Sequence, residues 1–445
     1  MPLESCDFDK PCKISRGNEA HLPLPAILTA RDRSVLRELG REFSSIASDP
    51  VNETRRELWA GLNRLERVKP MVWINEICWN EMEVDEELHL QTSSEFCRRI
   101  ELELRRTIYR WEHLQADMVV EPRIFSPLAI ENSGIGVSIQ EETLATDERN
   151  TVVSHRYLPQ IRCEEDIEKI RLPRITCDEA LSEETYQAYC DIFDGVIPVE
   201  SRGVPGFWFA PWDDIVTWTG VQEALTDMAM RPDYIHRLVK KVTGVYLGIL
   251  DQYEQSGLLA LNNTNARVGS GGYGYTSELP RSGFGSEHVR STDIWGCAAA
   301  QIFAHVSPAM YEEFALQYER RWLERFGLAY YGCCEPLHKK IGMLKSIPNL
   351  RKISISPWAD LPAAAEAISG EYVFSWKPNP AVLAKEHWDP EEARRDLEEA
   401  LEITRAYACR VEIILKDIST VNREPQRLWE WASIAAEVTE RHGGI

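Results

Sequence analysis

Two hydrophobic patterns alternate along this chain. Short runs that are apolar throughout recur between longer stretches in which apolar residues return every three or four positions. The short runs predict strands buried on both faces, as in a parallel sheet, and the longer stretches predict amphipathic helices. The eight predicted strands are Met71–Ile74, Met118–Val120, Val196–Val199, Leu258–Leu261, Leu328–Tyr331, Ile353–Ile355, Tyr372–Phe374 and Val411–Leu415.

Capping residues mark where several helices begin. Ser307 precedes Pro308, which places a capping hydroxyl before a proline at the first helical position. Asp389 precedes Pro390 in the same way, with a carboxylate as the capping group. Between Asp32 and Arg67 the spacing of leucines predicts two helices separated by a loop at 48–50. Helices therefore follow most of the predicted strands and also precede the first one.

A strand followed by a helix, repeated about eight times, predicts an α/β fold of the (β/α)8 TIM-barrel type, which typically uses ~250 residues. The chain has 445 residues, so we expect an N-terminal helical extension (1–69) before the barrel (70–445). We also expect an inserted hairpin within about 134–172, with its strands at Val137–Ile139 and Thr151–Val153. The competing architecture is a doubly wound open sheet, but the glycine-rich run Gly269–Gly274 lacks the lysine of a phosphate-binding loop. We expect that run to be a mobile loop near the active site.

Composition narrows the possible partners. Hydrophobic residues make up 44% and charged residues 27%, which is typical of a globular protein with a core. The net charge of -21 disfavours binding to nucleic acid or to an acidic membrane surface. No stretch is long and apolar enough to span a bilayer, and the first ten residues do not resemble a signal peptide. Eleven cysteines, an odd number in a large chain, predict mostly free thiols in a reducing cytoplasm.

The residues that follow the predicted strands are candidates for a site, because catalytic groups of a barrel project from the carboxyl ends of its strands. Turn chemistry alone explains asparagine and serine at such positions, but it explains a crowd of ionisable groups less well. We predict Glu76, Glu121 and Lys377 as catalytic residues for proton transfer and substrate orientation. The predicted substrate-binding residues are Asn75, Trp358, Trp376 and Asn379.

The triplet Cys333–Cys334–Glu335 follows the fifth of these strands. Two interpretations are open: two small buried apolar side chains, or a thiolate bound to zinc with carboxylate or imidazole ligands. If the strand continues, Cys333 and Glu335 point to one side and Cys334 to the other. A turn here would break that alternation. Asp417 and His338 are the further ligands that we expect within reach.

Five segments together resemble the uroporphyrinogen decarboxylase superfamily. They are Gly220–Leu225, Met230–His236, His305–Phe314, Tyr331–Leu337 and Trp376–Pro380. That superfamily includes zinc-dependent methyltransferases that pass methyl groups to and from corrinoid proteins, and the resemblance implies the same β/α barrel. The porphyrin-binding members carry an arginine-rich segment after the first strand. Here Asn75–Glu76 stands in that place, which disfavours an octa-acid substrate.

The resemblance therefore implies a methyltransferase that acts on a small substrate, such as a methoxylated aromatic compound that it demethylates. Its corrinoid would come from a partner protein, and zinc would act as a Lewis acid. The zinc-binding relatives use a His-x-Cys pair and a late cysteine, where this chain has Gly332–Cys333–Cys334 and Asp417. The implied ligands are Cys333, Cys334, Glu335, Asp417 and His338. The resemblance also implies a homodimer. The alternatives are a metal-free decarboxylase or lyase for a small carboxylate, and a non-catalytic barrel that binds a tetrapyrrole or corrinoid.

Overall fold

The structure is a computed structural model that describes residues 12–13, 28–114, 116–144, 154–285 and 288–443. Its α-helices are α1 (Ala30–Ala47), α2 (Val51–Asn63), α3 (Glu95–His113), α4 (Glu164–Ile167), α5 (Glu179–Phe193), α6 (Pro211–Thr219), α7 (Val221–Met230), α8 (Pro232–Gln255), α9 (Pro308–Tyr311), α10 (Gln317–Leu323), α11 (Ile341–Leu344), α12 (Leu361–Ile368), α13 (Pro390–Ala406) and α14 (Gln426–Gly443). Its strands are β1 (Cys12–Lys13), β2 (Met71–Ile74), β3 (Ile124–Pro127), β4 (Ile130–Asn132), β5 (Glu141–Leu144), β6 (Ser154–Tyr157), β7 (Ile175–Cys177), β8 (Val199–Arg202), β9 (Phe207–Trp208), β10 (Trp295–Ala298), β11 (Leu328–Tyr331), β12 (Leu350–Ile355), β13 (Val373–Trp376) and β14 (Arg410–Leu415).

Six strands form a parallel central sheet in the order β10-β11-β12-β13-β14-β2. The α/β class and the parallel sheet are therefore confirmed. Within the described residues, β10 and β2 are the edges of this sheet, and no ladder of paired strands joins them into a closed eight-stranded ring. Beyond β10, Phe209, the residue after β9, forms a single parallel bridge with Ala298.

Three predicted strands differ from the structure, and one strand of the central sheet was missed. Leu258–Leu261 is not a strand, although Leu259 forms one parallel bridge with Val204. Met118–Val120 is not a strand either, and the strand predicted at 196–199 instead begins at Val199. The missed strand is Trp295–Ala298, which pairs with β11 along its whole length. Its small central residues gave the sequence a weak strand signal.

The two faces of the central sheet differ in chemistry. The outer face, which carries Ile353, Phe374 and Ile413, packs against the helices in the main hydrophobic core. The inner face carries polar residues, of which Lys352 and Glu412 form a fully buried ion pair of 2.8 Å. Because side chains alternate along a strand, the inner face can be followed from one strand to the next and beyond the strand ends.

The glycine-rich run lies buried against this inner face, so the expectation of a mobile loop is wrong. Gly272 N donates to Glu412 Oε1 (3.3 Å), and Trp295 Nε1 donates to the Gly274 carbonyl (2.8 Å). A Cβ at Gly271 would lie 2.5 Å from the ring of Tyr330. Glycine is needed here because the backbone approaches the sheet too closely for any side chain.

The predicted helices at the N-terminus are present as α1 and α2. Trp59 of α2 is fully buried and donates from Nε1 to the Asp117 carbonyl (2.8 Å). The caps at Ser307 and Asp389 are also present, since their side chains accept from the backbone N–H groups of Met310 and Glu391.

A hairpin forms within the predicted insertion from the antiparallel strands β5 and β6. Its strands lie further along the chain than Val137–Ile139 and Thr151–Val153, and the latter segment falls outside the described residues. None of the helices in the described part of the chain has the length and apolarity that crossing a membrane requires.

Candidate functional site

Four inner-face positions form a rim at the carboxyl ends of the strands. Asn75 follows β2, Ser356 follows β12, Lys377 follows β13 and Lys416 follows β14. Each continues the alternation of its strand, so that Lys416 comes two residues after an inner-face residue of β14. Neither polar atom of the Asn75 side chain, nor the Ser356 hydroxyl, has a hydrogen-bond partner, although both residues are fully buried.

The Cys333–Cys334 pair lies at this rim because β11 ends in a turn. Gly332 has φ +97°, which ends the alternation of β11 before the first cysteine. The two sulfurs lie 3.5 Å apart, so the arrangement expected of a continuing strand is not formed and the alternative of a turn is the one present. Glu335 does not point the same way as Cys333. Its buried carboxylate accepts from the backbone N–H groups of Cys333 (2.9 Å) and Ala300 (3.2 Å) and holds the turn.

Lys416 is the centre of a group that we call the Lys416 cluster: Lys416, Glu76, Asp417, Cys333 and Cys334. The ammonium Nζ lies 2.9 Å from Asp417 Oδ2 and 3.3 Å from Glu76 Oε2. It lies 3.5 Å from the sulfur of Cys333 and 3.9 Å from that of Cys334. One buried cation therefore faces two carboxylates and two thiols.

Charges in the cluster are coupled through these contacts. The hydrogen bond from the Cys334 thiol, with help from the ammonium, holds the pKa of Cys333 below its usual value despite burial. The same hydrogen bond, together with burial, raises the pKa of Cys334. Burial alone would lower the pKa of Lys416, but Cys333, Glu76 and Asp417 outweigh it and raise that pKa. The cluster thus favours a thiolate on Cys333 and an ammonium on Lys416.

The two carboxylates of the cluster sit on unusual backbone. Glu76 has φ +50° and Asp417 has φ +57°, in the left-handed region that side chains other than glycine rarely adopt. A hydrogen bond from Ile418 N to the Glu76 carbonyl (3.1 Å) ties the two turns together. Burial and a hydrogen bond to Glu76 raise the pKa of Asp417. Such backbone costs about 1–3 kcal/mol per residue and is typical of functional sites.

Lys377 lies deeper on the same face. Its Nζ donates to the Tyr330 hydroxyl (2.7 Å) and to the carbonyl and hydroxyl of Ser375 (both 3.2 Å). Burial lowers the pKa of Lys377 to about 8, although the negative charge of Cys333 opposes the shift. This amine is therefore close to its titration point near neutral pH.

The structure places the remaining predicted site residues elsewhere. Trp376 belongs to the outer face and is buried in the main core. Trp358 is 70% exposed, and Asn379 caps a short helical turn through Ala381 N (3.0 Å). His338 Nδ1 accepts from Asp360 N (3.3 Å).

Glu121 makes its hydrogen bonds and its ion pair with residues outside the Lys416 cluster. Its Oε1 accepts from the Tyr275 hydroxyl (2.8 Å) and from Asn265 N (3.2 Å), and Oε2 lies 3.4 Å from Arg123 Nε. It borders a cavity lined by arginines.

The residues as placed do not fit the zinc site that the resemblance implies. A catalytic zinc needs three protein ligands around one point. Here the ammonium of Lys416, and not an open position for a metal, lies between the two sulfurs and the Asp417 carboxylate. Both oxygens of Glu335 are used by backbone N–H groups. Across the described ranges, three ligand atoms come within 4.8 Å of one another only at Glu87, Glu112 and His113. Zinc binding at the cysteines stays a prediction, and it requires the ammonium of Lys416 to move away from the two sulfurs.

Sequence reasoning missed Lys416 and Arg267 as members of the site. Lys416 could have been found from strand alternation, because it lies two residues beyond Ile414, an inner-face residue. Arg267, whose guanidinium lies 3.4 Å from Glu76 Oε1, is next to the glycine-rich run, and no local pattern marks it.

Comparison with known proteins adds little to this geometry. No protein-family model matches the chain, and no curated protein matches it. Among solved structures, a methyltransferase from Methanosarcina mazei aligns over 86% of this chain and 98% of its own, with 11% sequence identity and a TM-score of 0.47. At that level of likeness we carry neither fold nor activity over from it.

Proposed function

We propose that this protein is a methyltransferase that moves a methyl group between a small methylated substrate and a corrinoid carried by a partner protein. The observation that supports the proposal is the pair of thiols beside the ammonium of Lys416 at the rim of the sheet. A cysteine thiolate is intrinsically a strong nucleophile, and a neighbouring cation lowers the pKa of the thiol from which it forms.

In the demethylating direction, the sulfur of Cys333 attacks the methyl carbon. A sulfur–carbon bond forms while the bond from carbon to the substrate oxygen breaks, and that oxygen keeps the electron pair. The oxygen then takes a proton from the carboxyl pair of Glu76 and Asp417, which shares a hydrogen bond. Lys416 stabilises the thiolate before the attack, and Lys377, which lies deeper on the same face of the sheet, orients the substrate. The corrinoid would supply the final methyl acceptor.

The test follows a labelled methyl group. The protein is incubated with guaiacol that carries a labelled methyl group and with added cobalamin that a chemical reductant, titanium(III) citrate, keeps in the cobalt(I) state able to accept a methyl group. Both cobalamin and the Cys333 peptide are then analysed by mass spectrometry. We expect label on both, the peptide gaining one CH2. Cys333→Ser should lower the transfer rate by roughly 100-fold or more, because it removes the nucleophile. Cys163→Ser, at an exposed cysteine, is the matched control. Full activity in Cys333→Ser would contradict the proposal.

A metal-free lyase acting on a small carboxylate is the second candidate. The observation that favours it is the concentration of cations at the rim, where Lys377, Lys416 and Arg267 would attract a carboxylate. Release of carbon dioxide from candidate acids without any corrinoid would favour this candidate, and dependence on corrinoid would favour methyl transfer.

A further inference from the structure

The two adjacent cysteines after β11 form a dithiol whose geometry is set by the turn around them. The backbone of Cys333 is held on both sides, because its N–H donates to Glu335 Oε2 (2.9 Å) and its carbonyl accepts from the Ser354 hydroxyl (2.7 Å). Glu335 and Ser354 are themselves buried. The 3.5 Å between the sulfurs of Cys333 and Cys334 is therefore a property of a turn that buried hydrogen bonds hold in place.

A covalent bond between these sulfurs is close in distance but strained. Sulfurs in a disulfide lie ~2.05 Å apart, so the two sulfurs have about 1.5 Å to close between them. Consecutive Cα atoms across a trans peptide bond are about 3.8 Å apart, which is below the range of about 4.4–6.8 Å that is usual for disulfides. Strain of this kind makes a disulfide easier to reduce, so the bond would be reversible.

The dithiol is reached from the side of Cys334. Cys334 is partly exposed, whereas Cys333 is 5% exposed. The sulfur of Cys334 lies 3.6 Å from Oδ2 of Asp417, an exposed residue at the same edge of the cluster. A small oxidant therefore meets one sulfur near the surface and the second sulfur 3.5 Å away from it.

We propose that Cys333 and Cys334 are an oxidative modification site, which hydrogen peroxide closes into a disulfide between adjacent residues. One sulfur, as the thiolate, attacks a peroxide oxygen. The oxygen–oxygen bond breaks, a sulfenic acid forms, and the hydroxide that leaves takes up the thiol proton as water. The other sulfur then attacks the sulfenic sulfur, the sulfur–oxygen bond breaks, and a second water is released. Two thiols are oxidised and one peroxide is reduced, so the step needs no further reagent.

Closure of this bond changes the chemistry of the whole Lys416 cluster. The ammonium of Lys416 loses its thiolate neighbour but keeps its contacts with Asp417 (2.9 Å) and Glu76 (3.3 Å). The disulfide also removes the nucleophile of methyl transfer, and this consequence alone rests on the proposed function. Because thiols of the glutathione class reduce strained disulfides, the loss of the nucleophile would last only while peroxide is present.

Peptide mapping of the full chain after treatment with hydrogen peroxide tests the proposal. Thiols that remain are blocked with iodoacetamide, and the peptides are analysed by mass spectrometry. We expect the peptide with Cys333 and Cys334 to lose two hydrogen atoms and to take up no alkyl group, and dithiothreitol to restore both thiols. Cys163→Ser, at an exposed cysteine, is the matched control and should leave this result unchanged.

Single serine variants test whether the second sulfur resolves the sulfenic acid. Dimedone, which labels sulfenic acids, is added together with the peroxide. Labelling at the remaining cysteine of Cys333→Ser or of Cys334→Ser should exceed that of the wild-type pair by roughly tenfold, because the partner that removes the sulfenic acid is missing. A serine variant that fails to fold leaves the mapping of the wild type to decide alone.

Several outcomes would overturn the proposal. Alkylation of both cysteines after peroxide treatment is one, and a sulfinic acid on one cysteine beside an alkylated partner is another. A disulfide from either cysteine to a distant cysteine, or equal dimedone labelling of wild type and both variants, would also overturn it. These readouts are taken without substrate or corrinoid, so failure here is distinct from failure of the proposed function.

Discussion

Lys416 contacts every other member of its cluster, and the chemistry of the rim depends on it at the scale of single residues. An ammonium and a zinc ion would compete for the same two sulfurs and the same carboxylate. Lys416→Met removes the cation that contacts the two thiols and Asp417, while Glu76 keeps its contact with Arg267. Two thiols and a carboxylate without that cation are donors that attract a metal ion.

We therefore expect Lys416→Met to retain close to one zinc per chain after incubation and desalting, and the wild type to retain much less. Metal analysis by mass spectrometry measures both. Adding Cys333→Ala and Cys334→Ala to the variant should abolish the gain, which assigns the metal to the cysteines. Lys385→Met, at a lysine whose side chain is 47% exposed, is the control. Stoichiometric zinc in the wild type, unchanged in Lys416→Met, would show that the ammonium does not exclude the metal.

Individual residues also show how far sequence reasoning reaches. Glu76, Asp417 and the two cysteines were selected because each follows an apolar run, and the structure brings these four together. Their catalytic roles stay predictions. Which way each cysteine points depended on one glycine, Gly332, whose positive φ cannot be read from an apolar run. The alternation of side chains holds only within a strand, and it cannot be extended past the strand's last residue without knowing the turn that follows.

The helix from Pro308 to Leu323 illustrates the scale of secondary structure. Its α-helical ends are joined by a π-helical segment, Glu312–Leu316. Glu319 of α10 is fully buried and accepts a hydrogen bond from the Tyr331 hydroxyl of β11. Burial raises the pKa of Glu319 from its ordinary value of 4.5 to about 8. The folded protein therefore holds a proton on Glu319 at pH values where the unfolded chain has lost it.

This linkage predicts that the free energy of unfolding falls as pH rises from about 4.5 to about 8. Glu319→Gln keeps the shape and removes the titration. We expect it to match the wild type near pH 4.5 and to be more stable by about 4 kcal/mol near pH 8. Urea denaturation across this pH range measures the difference. Glu324→Gln, an exposed position just after the helix, should show no such trend. A constant difference across the range would mean that Glu319 is ionised in the folded state.

Hydrophobic runs located most of the central sheet but not all of it. The predicted runs that became β2, β11 and β14 are rich in large apolar and β-branched residues. Leu258–Leu261 has a similar composition and forms only one bridge. Strand β10, by contrast, contains Gly296 and is a strand because it pairs with β11. Pairing partners are set by the fold as a whole, so a local pattern cannot separate these two cases.

At the scale of the whole molecule, the N-terminal helices are joined to the sheet by buried contacts. Asn63 Nδ2 donates to the carbonyls of Tyr273 (2.9 Å) and Tyr275 (2.7 Å), which belong to the chain that covers the inner face. Trp59 packs against Gly272, and the ammonium of Lys352 lies 5.7 Å from the centre of its ring. Helix α2 therefore covers the buried ion pair of Lys352, although the sequence predicted it as an extension outside the barrel.

This packing predicts that Trp59→Ala destabilises the whole chain. Removing a fully buried indole costs about 3–5 kcal/mol, through the lost burial and the cavity that remains. The substitution also removes the indole ring that covers the ammonium of Lys352, and the hydrogen bond that this ring donates to the Asp117 carbonyl. We expect one cooperative unfolding transition at a lower urea concentration than in the wild type. Far-ultraviolet and near-ultraviolet circular dichroism should both detect this transition, because α2 and the sheet share a core.

Trp358→Ala, at a tryptophan that is 70% exposed, is the control and should change the free energy of unfolding by no more than about 0.5 kcal/mol. If Trp59→Ala instead melted the helices alone and left the transition of the sheet unchanged, the N-terminal helices would be an independent unit.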